Sequence, residues 1–274
     1  MTAGLLLSGD IAAWLAPAPP PPLWLFVHVP KTAGSSLTAD IATMLQPYCS
    51  IHIDHADRRT HALVRFDAAT EAFLAARRSG PPARFASGHV AWRHVEAVLA
   101  EEPATRLFTV LREPAARLVS DYLYQRSAMH PLAAEVKARI PDFDAFLELP
   151  GQRNRAARHL APAPMVAAGD AAAVLRHLRT RYAFVGLQER HELGFRALTA
   201  LIGRQMRPQA RIRVNEDAAE ERARVMARLA EPAVRARMEE LNALDIAVHR
   251  EVAADWDRIA APLEAWLDRA EAQG

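Results

Sequence analysis

Cysteine is almost missing from this chain. Cys49 is the sole one among 274 residues, which excludes an intramolecular disulfide framework and any Cys-rich zinc cluster. A reducing compartment fits that usage. Net charge is nearly absent too: the formal value is +2 with a pI near 9.0. That is a slight excess of Arg-dominated bases rather than a basic face built for nucleic acid, so no nucleic-acid partner is expected. Also lacking is a membrane-length apolar run near the N-terminus. Gly4 to Ala16 is short, is interrupted by Asp10 and has no Lys or Arg before it. It is neither a bilayer span nor a secretory signal. It reads as an amphipathic or frayed leader packing on the domain, with membrane contact as the other reading. No integral membrane segment is expected, and the expected location is cytoplasmic.

What the chain does have is apolar content, 51% of its residues, enough to build one large core. Pro17 and Pro19 to Pro22 form a stiff spacer. Residues 1–22 are therefore read as leader and spacer, and residues 23–274 as one domain. Leu23 to Val29 is a continuous apolar run of strand length. It is followed by a Gly/Ser turn and by helical spacing over Ser36 to Leu45. Further strands are expected at Ser50 to Asp54, Arg84 to Ser87, Leu107 to Leu111 and Tyr182 to Leu187. Helices are expected at Asp67 to Arg78, Trp92 to Glu101 and Pro114 to Arg126, and from Ala218 onward. This alternation predicts an α/β fold, a mostly parallel sheet flanked by helices, with a helical C-terminal portion. Ligands of such sheets sit at the carboxyl ends of the strands.

Two strand–turn–helix units carry chemistry at that edge. In PKTAGSS the amides of Thr32 to Ser36 can converge on an anion at a positive helix end, with Lys31 as a mobile cation and three hydroxyls as donors. This is not a Walker A loop, because Lys31 precedes Gly34 instead of following a second glycine. In the second unit Arg112 emerges at the end of a strand. Ser120 lies about two turns along the following helix, a pair suited to a terminal phosphate. His89 follows a third strand, on the same ligand side. The unperturbed pKa of histidine lies near neutrality and suits a general base, although a lone histidine after a strand is more often structural or solvated. His28, inside an apolar strand, is read as structural. His52, Asp54, His55 and Asp57 read as a solvated loop cluster, and no metal site is expected.

The segments HVPKTAGSS (His28 to Ser36) and LREPAARLVS (Leu111 to Ser120) resemble motifs of the sulfotransferases that use 3′-phosphoadenosine 5′-phosphosulfate (PAPS). The nearest branch contains the heparan-sulfate 2-O-sulfotransferases and many bacterial relatives. The resemblance implies a P-loop-like fold and a donor held at its 5′ end by Lys31, Thr32, Ala33, Gly34, Ser35 and Ser36. It places the 3′-phosphate on Arg112 and Ser120. GHVAW (Gly88 to Trp92) is similar to the family's catalytic-histidine segment and assigns the base to His89, with Lys31 assisting departure of the 5′-phosphate. Some relatives carry a second histidine two residues earlier, where this chain has Ser87. By the same resemblance Arg213 is a donor contact and Glu189 is architectural. Asn154 and Arg158 border the acceptor, although Arg158 equally suits pairing with a carboxylate. The implied partner is a hydroxyl-bearing acceptor, a saccharide or glycolipid, and no metal is needed. Two other readings stand beside this one: a nucleotide-dependent kinase or NTPase, and a sulfotransferase-like nucleotide-binding protein without catalysis.

Overall fold

The first and last strands in the chain form where apolar residues run without polar alternation, as burial on both faces of a sheet demands. The structure is a computed structural model that describes residues 2–54, 60–209 and 219–273. Its strands are β1 (Trp24–Val27), β2 (Tyr48–Ile51), β3 (Phe85–Gly88), β4 (Arg106–Leu111) and β5 (Tyr182–Leu187). All neighbours pair in parallel, in the order β2-β3-β1-β4-β5. Every residue of β1, β3 and β5 is buried. From β1 the chain runs outward to β2, returns to β3 beside β1, then crosses to β4 on the other side. The order therefore reverses around β1, and the crevice outside its carboxyl end is where such folds bind ligands.

Helices join and cover the strands. They are α1 (Ala3–Ser8), α2 (Ile11–Trp14), α3 (Gly34–Met44), α4 (Ala62–Ser79), α5 (Trp92–Glu101), α6 (Pro114–Arg126), α7 (Ala133–Arg139), α8 (Phe143–Leu147), α9 (Arg155–Leu160), α10 (Ala163–Ala167), α11 (Ala171–Arg181), α12 (His191–Ile202), α13 (Ala219–Ala230), α14 (Pro232–Leu241) and α15 (Ala243–Gln273). The bounds of β5, α5 and α6 are those the sequence pattern predicts. Strand β2 begins two residues earlier than expected, because its register pairs Tyr48 with Phe85 and Ile51 with Gly88. Helix α4 starts five residues earlier, where the His61 ring accepts a bond from the Leu63 amide. Among the described residues no helix is long and apolar enough to cross a membrane.

The apolar leader shares the main core with the sheet. Leu6 and Trp14 are fully buried, and α1 packs on α11, α15 and β5. The Trp14 indole N–H donates to the Ala183 carbonyl at 2.9 Å. Trp256 of α15 does the same to Val185 at 3.0 Å. Ala183 and Val185 lie on edge strand β5, so two indoles satisfy alternate carbonyls that an edge would otherwise leave open.

Candidate active site

The loop from β1 to α3 is bent by backbone strain at two non-glycine positions, Lys31 (φ 72°) and Ala33 (φ 62°). Each left-handed residue costs about 1–2 kcal/mol, so the surroundings must hold it. Arg112 supplies one hold, its guanidinium donating to the Lys31 carbonyl at 3.1 Å. The Thr32 hydroxyl supplies another by donating to the Val29 carbonyl at 2.9 Å. Gly34 opens the helix directly against the His28 ring, where any Cβ would overlap imidazole atoms. No side chain among the described residues caps α3. Its first-turn amides, flanked by partly buried Ser35 and Ser36, are the kind of donors that suit an anion.

The second unit looks alike in sequence but is finished differently. Pro114 opens α6, and the Glu113 carboxylate accepts from the amides of Ala115 at 2.9 Å and Ala116 at 2.6 Å. Its helix end is thus already neutralised by Glu113, with the Arg112 guanidinium the cation at the strand end of this unit. Burial lowers the pKa of Arg112, opposed by the charges of Glu189 and Glu113, and the group stays a cation. Ser120 is partly exposed on α6. One turn further along, Tyr124 receives the Lys31 ammonium 3.9 Å from its ring centroid. The two motifs therefore meet in space.

His89 joins them through strand register. β1 and β3 pair Trp24 with Phe85 through to Val27 with Gly88, and the His28 amide continues the ladder by donating to the Gly88 carbonyl at 3.0 Å. The next residues, His28 and His89, are consequently side by side, with ring centroids 4.3 Å apart. His89 Nδ1–H donates to the His28 carbonyl at 2.8 Å, which puts a proton on Nδ1, so that in the neutral ring the lone pair is on Nε2. On the far side of the same turn His159 of α9 bonds the Val90 carbonyl at 3.0 Å. Burial first, then the charge of Arg155, pushes the His159 pKa down to about 3, so its ring is neutral at physiological pH.

A protein-family model described as "Sulfotransferase family" matches residues 23–249. The chain belongs to the sulfotransferase family. No curated protein matches it by sequence. Among solved structures, mouse sulfotransferase SULT7A1 complexed with PAP aligns at 16% identity and TM-score 0.39, over 86% of this chain and 72% of that one. A sulfotransferase from Alicyclobacillus acidocaldarius aligns at 16% identity and TM-score 0.40, over 87% and 99%.

Within this sulfotransferase several expected site residues are placed otherwise than their motifs suggest. The Thr32 side chain is buried and turned inward, so only its backbone amide can face a ligand. The Asn154 carboxamide oxygen accepts from the amides of Leu244 and Asp245, both at 3.1 Å. In return the Asp245 carboxylate accepts from Ala156 and Ala157, both at 2.9 Å. Asn154 thus caps α15 while Asp245 caps α9, a reciprocal clamp that engages the Asn154 carboxamide oxygen. Arg158 is exposed and donates to the Pro150 carbonyl at 2.6 Å; among the described residues no carboxylate hydrogen-bonds it. Arg213 lies outside the described residues, as do His55 and Asp57 of the loop cluster. Among the described residues no group of His, Cys, Asp and Glu could hold a metal ion. Ser87, which stands where some relatives have histidine, shares a 2.9 Å hydrogen bond with the Tyr48 hydroxyl.

Three residues at the site escaped the motif reading. His28 does stack in the strand, on Phe26 at 4.9 Å, yet it also contacts His89. Tyr124 had a sequence signal, its spacing of four from Ser120 on one helix face. His159 had none, because nothing in the chain indicates that α9 reaches the turn after β3.

Proposed function

We propose that this sulfotransferase moves a sulfuryl group from PAPS to an acceptor hydroxyl, with His89 as general base. The observation that carries the base assignment is the bond from His89 Nδ1–H to the His28 carbonyl. It orients the ring and leaves Nε2 as the basic nitrogen. The residues present fit the donor's two anionic ends. An uncapped α3 terminus with Lys31 suits the 5′-phosphosulfate, and the half-buried Arg112 with Ser120 suits the 3′-phosphate.

In this reading His89 Nε2 takes the acceptor hydroxyl's proton as that oxygen forms a bond to sulfur. The bond from sulfur to the bridging oxygen of the 5′-phosphate breaks, and its electron pair leaves with the phosphate. Lys31 and the α3 amides neutralise the charge that accumulates there, a gain larger in the transition state than in the ground state. The products are a sulfate ester and adenosine 3′,5′-bisphosphate. The acceptor in this reading is a saccharide or glycoconjugate hydroxyl, supported by the likeness of GHVAW to the 2-O-sulfotransferase segment. A cytoplasmic setting accords with the single cysteine.

The test is transfer from labelled PAPS to a panel of glycans, glycolipids and small alcohols. His89→Ala is expected to lower kcat by roughly 10²–10⁴-fold while calorimetric binding of adenosine 3′,5′-bisphosphate is retained. Full turnover in His89→Ala would overturn the base assignment.

A further inference from the structure

Composition singles out Lys31. It and Lys137 are the only lysines in the sequence, every other Lys/Arg base being arginine. A compact ammonium on a flexible stem is therefore used at one place in the site, and such a group must be held if it is to act at one point. Its backbone sits in the left-handed region at φ 72°, braced by Arg112 on its carbonyl. Its Nζ lies 3.9 Å from the Tyr124 ring centroid. Tyr124 follows Ser120 by four residues on α6, so both occupy one helix face about 6 Å apart along the axis. The Tyr124 ring is itself held by His130, which packs edge-on with centroids 5.5 Å apart at 89°.

We propose that Tyr124 is a positioning residue for Lys31: its ring face holds the ammonium of the loop between β1 and α3, the cation that neutralises the departing 5′-phosphate. The contact stands on geometry alone, and its catalytic consequence rests on the donor reading above. A phenyl ring serves as well as a phenol, because the attraction comes from the ring quadrupole. An aliphatic residue of similar volume removes that attraction.

Two measurements on the full chain test this. With isotope-labelled lysine only two side chains are observed by NMR. The ε-methylene protons of Lys31, shielded by the ring face, are expected upfield of those of Lys137. Tyr124→Phe should keep that displacement and Tyr124→Leu should abolish it; persistence in Tyr124→Leu would refute the contact. In PAPS turnover, Tyr124→Leu should lower kcat roughly tenfold with a smaller change in donor KM, and Tyr124→Phe should restore most of the loss. A series of progressively fluorinated phenylalanines at 124, near constant in volume, should lower kcat stepwise as the ring's negative face weakens. A flat series would show that the ring only fills space and would overturn the positioning role. Absence of any turnover by the unmodified protein would refute the donor reading and the catalytic half of the inference together, while the resonance measurement still decides the contact.

Discussion

Replacing Asn154 separates the two roles open to it, acceptor contact and helix clamp. Its oxygen holds two amides of α15, at Leu244 and Asp245. Losing each bond should cost about 1 kcal/mol, the usual cost of a lost cap. The residue also adopts φ 43°, a conformation that asparagine tolerates and that costs alanine about 1 kcal/mol more. Asn154→Ala should therefore destabilise by about 3 kcal/mol and Asn154→Gly, which suffers no φ cost, by about 2 kcal/mol. At roughly 2 °C per kcal/mol for a chain of this size, Tm should fall by about 6 °C and about 4 °C. Differential scanning calorimetry reads both, and the order of the two variants isolates the backbone term. Acceptor KM, measured well below the melting range, should stay near its starting value. An unchanged Tm accompanied by a raised acceptor KM would refute the clamp and return Asn154 to the acceptor site.

Two further predictions concern stability. Trp14 is fully buried and bonded to Ala183, so Trp14→Ala should cost about 3–5 kcal/mol and Trp14→Phe about 1 kcal/mol for the orphaned carbonyl. Urea midpoints check this, and an unshifted midpoint in Trp14→Ala would show that the leader contributes nothing to the core. His177 is buried against the edge of Trp92, ring centroids 4.2 Å apart; desolvation first, then the charge of Arg181, lowers its pKa to about 4. The unfolded chain, titrating near 6.5, therefore binds a proton before the folded one, so stability falls as pH drops below 6.5 and levels off near pH 4. Allowing for solvent screening the loss is about 2 kcal/mol. His177→Phe should flatten that part of the urea-midpoint profile between pH 7 and 4.5, whereas a profile parallel to that of the parent would sink the assignment.

Much of this protein is set by local pattern. The apolar runs that became β4 and β5, the helix starting at Pro114, and the placing of Lys31, Arg112 and His89 at the carboxyl ends of strands all follow from the period of hydrophobicity and from turn residues. Such signals act over a few neighbouring residues and survive in any fold that contains them. Register and helix docking are different, because they depend on which distant segments share a core. The pairing of β1 with β3 is what sets His28 beside His89, and no local feature of VHVPK announces that neighbour. Likewise the two strand–turn–helix units read alike, yet no side chain of the described residues caps α3 while Glu113 closes α6. Asn154 lies in a segment that resembles an acceptor motif, but α15 arrives from ninety residues away and takes its oxygen. The sequence has the leader packing on the domain, but which surface it meets is decided by Trp14, which seals the edge of β5. Sequence by itself determined which chemical groups stand at strand ends. Tertiary structure decided which of them touch, because hydrogen bonds and ring contacts are satisfied by whichever partner the packed core brings within reach.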